Sequence, residues 1–240
     1  MVTDQTMSQA INGISSMATR NVLADLVKRY ARHSQQRVLI ESVGGVEAAR
    51  RVEDGELFDM VVLAADAIDR LAVAGRIVPG SRADVARSGV AIAVAAGATQ
   101  PWIGNEAAVR DAVLAARSIG YSTGPSGSHL SRLFERWGIA GTVAPRIVQA
   151  PPGVPVGSLI ANGDVELGFQ QLSELIHLPG IDVIGPLPAD IQVSTVFSAA
   201  VCTTSERVGD AQALIAFLAS PEASAVKLAH GMEPIERYTF

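Results

Sequence analysis

The chain has 240 residues, with 19 Lys plus Arg against 24 Asp plus Glu for a formal charge of −5, and 48% of its residues are apolar while only 18% are charged. Together with a mean hydropathy of +0.28, this supplies a sizeable core and excludes a disordered chain, which is poor in apolar residues and rich in charge. A single cysteine, Cys202, excludes an intrachain disulfide framework and a cysteine-based zinc site, and a pI near 5.4 with no basic block argues against a nucleic-acid surface.

The first stretch, Met1 to Asn12, is polar, with no basic segment, apolar segment or cleavage motif of a secretory signal. A cytoplasmic protein is expected from the sequence as it stands, and a periplasmic one if a signal has been removed. Gln9 to Ile14 reads as a strand, after which Ser15 and Ser16 offer helix caps and Met17, Val22, Leu23, Leu26, Val27 and Tyr30 recur at helical spacing. Arg37 to Ile40 is a strand, Glu41 to Gly45 a polar turn, and Val46 to Val52 a helix. Phe58 to Leu63 is a continuous apolar run, the pattern of a buried parallel strand. Asp66 caps the next helix, which closes at Gly75. Val90 to Ala96 is a further strand; the apolar stretch it opens, to Ala98, is far short of the ~20 residues that span a bilayer, so no membrane insertion is expected.

The same grammar continues. A helix runs from Asn105–Glu106 to Arg117, Ser118 to Ser122 is a strand, and after a Gly/Pro/Ser turn a helix runs to Trp137. Strands at Arg146–Gln149, Val165–Phe169, Asp182–Ile184 and Thr195–Thr203 alternate with short helices, one of which opens at Gln170. Helices at Arg207–Leu218 and Pro221–His230 close the chain. Alternating β and α units predict an α/β protein with mainly parallel sheets.

Three turns share one design: each follows a strand, is rich in Ser or Gly, and opens a helix. They are Ser15-Ser16, then Ser42-Val43-Gly44-Gly45, and Ser122-Thr123-Gly124-Pro125-Ser126-Gly127. Ligands of open α/β sheets sit at the carboxyl ends of strands. Helix N-termini present unpaired N–H groups and a positive dipole end, glycine allows close backbone approach, and serine adds donors. Converging turns of this kind would hold a small anion without a lysine. The third turn is neither a phosphate-binding Gly-Lys-Ser/Thr loop nor a Gly-x-Ser-x-Gly nucleophile elbow. His129, in the first turn of the following helix, is a candidate proton shuttle or ligand donor, and Glu41, at a strand end, a candidate base. Arg20 and Arg87 are candidate bidentate forks for a carboxylate, and Gln170 a candidate ligand-contacting amide. His33, His177 and His230 have no second ligand at metal spacing, so neither a metal nor a cofactor is expected.

Taken in order, Gly13 to Ser16, Glu41 to Gly45, Arg51 to Leu63, Arg87 to Ala96, Ser122 to Gly127 with Leu130 to Gly138, Ile160 to Gln170 and Ala213 to Ala223 resemble the molybdate-binding-type periplasmic proteins. These are a branch of the type II solute-binding fold. The resemblance implies two α/β lobes joined by two crossovers, residues 1–88 with 197–240 forming one lobe and 89–196 the other, with an anion in the cleft between them. Carried over by position, Ser15 or Ser16 and Ser42 would be contacts from the first lobe, and Ser122 with the Thr123 to Gly127 backbone those from the second. Molybdate binders usually bring a Tyr near Gln170, and Arg20 is an addition to the first turn. A smaller group of similar sequences comprises aconitate isomerases, which move a double bond within a tricarboxylate. The likeness therefore implies a binder of a small oxyanion or carboxylate, with a transporter as partner only if the chain is exported. The alternatives are an isomerase using Glu41 and His129, or an intracellular ligand sensor.

Overall fold

A computed structural model describes residues 10–34 and 36–235; Gln9 and the polar stretch before it lie outside the described residues. In chain order the elements are β1 (Ile11–Ser16), α1 (Arg20–Ser34), β2 (Val38–Val43), α2 (Gly45–Glu53), β3 (Met60–Ala64), α3 (Ala65–Val73) and β4 (Ala83–Ala95). Then follow α4 (Glu106–Ala115), β5 (Ile119–Ser122), α5 (Pro125–Arg136), α6 (Ala140–Val143), β6 (Ile147–Ala150), α7 (Val156–Ala161), β7 (Leu167–Gln171), α8 (Leu172–Leu175) and β8 (Ile181–Pro186). The chain closes with β9 (Ser194–Val201), α9 (Val208–Leu218), α10 (Ser224–Ala229) and β10 (Glu233–Pro234).

The strands follow one another in the order β2-β1-β3-β9-β4-β7-β5-β6, with β8 and β10 also paired to β4. The outer ladders, β2-β1-β3 and β6-β5-β7, are parallel. The antiparallel ladders among the described residues all involve β4 or β9, the strands that return the chain between the two sheets. Along β4 the partner changes at one peptide: Gly89 pairs with Ser194 of β9, and Val90 with Gln171 of β7. β9 is already paired in the first sheet from Ser194 onward.

Each sheet is buried on both faces, and the two-residue period of its strands sorts side chains between two cores. In β3, Met60 and Val62 pack with Leu23 and Leu26 of α1 and Leu214 of α9, whereas Val61 and Leu63 pack with Ala48 of α2 and Ile68 of α3. In β4, Val90, Ile92 and Val94 join Leu130 and Phe134 of α5, and Ala91 and Ala93 join Ile160 of α7. Cys202, just past β9, is 1% exposed. Burial, aided by nearby Asp59, pushes its thiol up to about 12. The molecule is thus two three-layered α/β/α lobes sharing β4, the two-lobed type II solute-binding fold expected from the sequence.

The expected elements shift where charge or amide hides a strand. β4 begins at Ala83 rather than Val90, because its polar first half is partnered: Asp84 accepts from Ser198 Oγ at 2.5 Å and Arg87 pairs with Glu233 at 2.6 Å. β1 ends at Ser16, so Ser15 and Ser16 are strand residues, and Ser16 makes no side-chain cap. β2 continues to Val43, which puts Glu41 inside the strand. Asp66 lies in the first turn of α3, whose N-cap is Ala64. Gln170 and Gln171 end β7 instead of opening a helix.

Candidate functional site

The carboxyl ends of β1, β2 and β3 and that of β5 point at one another across a cleft of ≈ 430 Å³. Each strand hands over to a helix at the cleft wall. Ser16 and Met17 start the short 3-10 turn that leads into α1, Gly44 and Gly45 start α2, Ala64 and Asp66 bracket the start of α3, and Ser122, Thr123 and Pro125 start α5. Four sets of N-terminal amides therefore border one cavity, each with unpaired N–H groups and a positive partial charge. Ser16 Oγ is buried with no hydrogen-bond partner, a free donor and acceptor on this wall. From the second lobe comes the loop Pro151 to Val154, turned by Gly153 at φ +79°, a backbone region that favours glycine. A Cβ at Gly44 would lie 3.5 Å from the Pro152 ring, so the lobes touch at this point. Phe197 is the one aromatic side chain among the described residues lining the cleft; Trp102 and Trp137 lie elsewhere.

Charge on the walls is nearly balanced. Arg50 and Arg70 reach the cleft from the last turns of α2 and α3, and both are exposed and tied to carboxylates one turn away, Asp54 at 2.7 Å and Asp66 at 2.8 Å. Exposed pairs of this kind are weak, so either guanidinium is free to turn to a ligand. The second lobe adds Glu174, half-buried on the cleft wall in α8. Its Oε2 accepts a 2.6 Å hydrogen bond from Gln170 Nε2, and Gln170 Oε1 accepts from the Val156 amide at 2.8 Å. Burial pushes the Glu174 carboxyl up to about 7, and the Gln170 bond offsets part of that rise.

Of the residues singled out in the sequence, the structure brings Ser16, Gly44, Gly45, Ser122, Thr123 and Gln170 to the cleft. Ser15 and Ser42 pair with each other, Oγ to Oγ at 2.8 Å, outside its lining. Ser126 and Gly124 support the third turn from behind: Ser126 Oγ lies 3.3 Å from Ser122 Oγ, which accepts the Gly124 amide at 3.3 Å. Gly127 packs so closely under the turn that a Cβ there would fall 1.7 Å from the Ser122 carbonyl oxygen. Four other candidates stand elsewhere. Glu41, carried on β2, gives both carboxylate oxygens to Arg51 at 2.8 and 3.0 Å; the Arg51 hydrogen bonds hold its carboxyl below the usual range, the opposite of a poised base. His129, in the second turn of α5, places Nε2 2.8 Å from the Ile191 carbonyl. Arg20 lies in a separate surface depression with Leu39 and Ser42, and Arg87 is bound to Glu233. None of the four lines the cleft.

Sequence reasoning passed over the start of α3, Glu174, Phe197 and the Pro151 to Val154 loop. The α3 turn reads Leu63-Ala64-Ala65-Asp66 and lacks the Ser and Gly that marked its three counterparts. Its one signal is the strand-to-helix position itself. Among the described residues, no group of three or more His, Cys, Asp or Glu is placed to hold a metal, and no helix is long and apolar enough to cross a membrane.

The model of the family described as bacterial extracellular solute-binding protein matches residues 11–233. An aconitate isomerase from a Pseudomonas species is 37% identical over 186 residues, which cover 77% of this chain and 71% of that protein. The fold is similar to that of the periplasmic molybdate-binding protein of Azotobacter vinelandii, with a TM-score of 0.80 at 20% identity over 94% of this chain and 100% of that one. It is similar too to a sulfate-binding protein of Mycobacterium tuberculosis, with a TM-score of 0.76 at 16% identity over 95% and 88%. With the family model spanning the chain from β1 to β10, and the two-lobed architecture shared, the chain belongs to the bacterial extracellular solute-binding protein family.

Proposed function

We propose that the chain binds a small anion, an oxyanion or a carboxylate, between its lobes. The observation that carries this reading is the convergence of four helix-start backbones on one cleft that also holds the unpartnered Ser16 hydroxyl. Amides and hydroxyls of this kind bind anions by fixed dipoles, with no matching lysine. Hinged closure of the lobes is how two-lobed binders enclose a ligand. The molybdate- and sulfate-binding proteins of the same fold take oxyanions, in keeping with this chemistry.

A second reading is favoured by the relative at 37% identity, an aconitate isomerase: the ligand is a tricarboxylate and the protein shifts its double bond. The cleft, at ≈ 430 Å³, falls within the ~300–1,000 Å³ of small-molecule pockets and has room for a six-carbon acid. A thermal-shift panel of molybdate, tungstate, sulfate, phosphate, citrate and cis- and trans-aconitate tests both. A ligand at 100 times its Kd stabilises by about 2.7 kcal/mol. Stabilisation by one or more of these anions is expected, by tricarboxylates if the second reading holds. A panel without any shift overturns the anion cleft.

A further inference from the structure

We propose that Glu174 is the proton-transferring residue of this cleft, taking a proton from one carbon of a bound unsaturated polycarboxylate and returning it to another. The proposal rests on the tricarboxylate reading above and deepens it.

Three observations carry it. Glu174 lines the cavity, and among the described residues it forms no salt bridge. Of the carboxylates on the cleft walls, Glu53 and Asp66 are exposed and Glu174 is half-buried, so Glu174 is the one held in place beside a bound ligand. Its one hydrogen bond comes from an amide whose direction is fixed: the Val156 N–H takes Gln170 Oε1, leaving Nε2 turned to Glu174 Oε2. Gln170 is thus a positioning residue, and Glu174 Oε1 keeps its lone pairs for another partner. Finally, the carboxyl shares the cleft with the helix starts of the first lobe, and α8 packs beside the turn at Met17–Thr19, where negative charge that develops on a substrate is stabilised. Burial keeps the group near neutrality, where it both takes and gives a proton.

The step balances without a co-reactant. The Glu174 carboxylate removes the proton from the carbon next to the double bond; that C–H bond breaks and an O–H bond forms. The released electron pair becomes the new C=C, and the old π pair moves to the far carbon and spreads into its carboxylate group. Glu174 then returns the proton to that far carbon.

The test uses the full chain with trans-aconitate in D₂O, followed by proton NMR, with ligand binding scored in parallel by thermal shift. The wild type is expected to form the cis isomer, with deuterium on carbon wherever the carboxyl's proton exchanges with solvent before it is returned. Glu174→Gln should keep the thermal shift and slow isomerisation by about 10²–10⁴-fold, the range of general acid–base catalysis. Glu174→Asp keeps the charge, draws it back by one carbon, and should slow isomerisation while leaving binding in place, which guards against a Gln variant that fails to fold. Isomerisation at the wild-type rate in the folded variants overturns the assignment, as does a wild type that binds trans-aconitate without forming the cis isomer. Stabilisation by molybdate or sulfate but by no tricarboxylate overturns it while leaving the anion cleft standing.

Discussion

Ser15 and Ser16 show how much one residue of register decides. On a strand, neighbours point to opposite faces. Ser15 is turned inward and spends its hydroxyl on Ser42, while Ser16 meets the cleft with its hydroxyl unpaired. The sequence made both candidates, because composition places serine at a turn but does not say which way the pleat carries it. Glu174 was invisible for a related reason: a lone acid between Ser173 and Leu175 has no pattern, and its meaning comes from what folds around it. Its raised carboxyl has a consequence for stability. Between the ordinary value of 4.5 and about 7, the folded state holds a proton that the unfolded state has lost. Stability from this group is therefore full below about pH 4.5 and falls as pH rises through 7. The wild type should lose about 3 kcal/mol through this group over that window, and Glu174→Gln should flatten the loss. Chemical denaturation at a series of pH values measures it, and an unchanged slope in the variant would rule out this origin.

At the scale of elements, the recurring unit is a strand that ends at the cleft and a helix that starts there. Three of the four examples were legible because Ser and Gly mark close backbone approach. The fourth, before α3, escaped because Ala64 stands there at φ −54°, nearly the −56° of Gly44, so the same backbone is made without a Ser or Gly to mark it. The glycines at these junctions are not equivalent. Gly127 sits in α5 against its own preceding strand, and a methyl group there meets backbone, which no side-chain rotation relieves. Gly127→Ala should cost about 3 kcal/mol or more and displace the α5 amides from the cleft. Gly209, in the first turn of α9 with open space around it, is the control: Gly209→Ala should be neutral or stabilise by up to ~1 kcal/mol. Equal denaturation midpoints for the two variants would mean that the turn yields more readily than its geometry implies. Glu41 shows how a strand boundary moves a candidate residue. Reading the strand as ending at Ile40 put an acid at the cleft, whereas β2 runs three residues further, to Val43, and holds Glu41 in its salt bridge with Arg51.

Across the whole molecule, the alternation of β and α units already named the fold, and the order of the turns named its family. What the alternation does not encode is how the two sheets join. At the crossing, Gln192 bridges the chain: Oε1 accepts from the amides of Val90 and Val193, both at 2.9 Å, and Nε2 donates to the Val90 carbonyl at 3.0 Å. Gly89 leaves room for this amide, since a Cβ there would lie 3.1 Å from it. With its amide turned to satisfy both neighbours, Gln171 donates to the Ser88 carbonyl at 2.7 Å and accepts from Thr195 Oγ1 at 2.8 Å. Two glutamines thus hold the peptide at which β4 leaves one sheet for the other. Gln192→Ala should cost about 1–2 kcal/mol and speed hydrogen exchange at the Val90 amide by roughly tenfold. An unaltered exchange rate there would show that the ladder, rather than the glutamine, secures the joint.

The placement of aromatic residues has an optical consequence. Phe197 faces the cleft, but Trp102 is largely exposed and Trp137 packs on Phe134 and donates its indole N–H to Glu106. Both indoles belong to the second lobe's outer surface. Ligand in the cleft touches neither chromophore, so tryptophan emission is a poor gauge of occupancy, and any change in it reports a rearrangement of that outer surface.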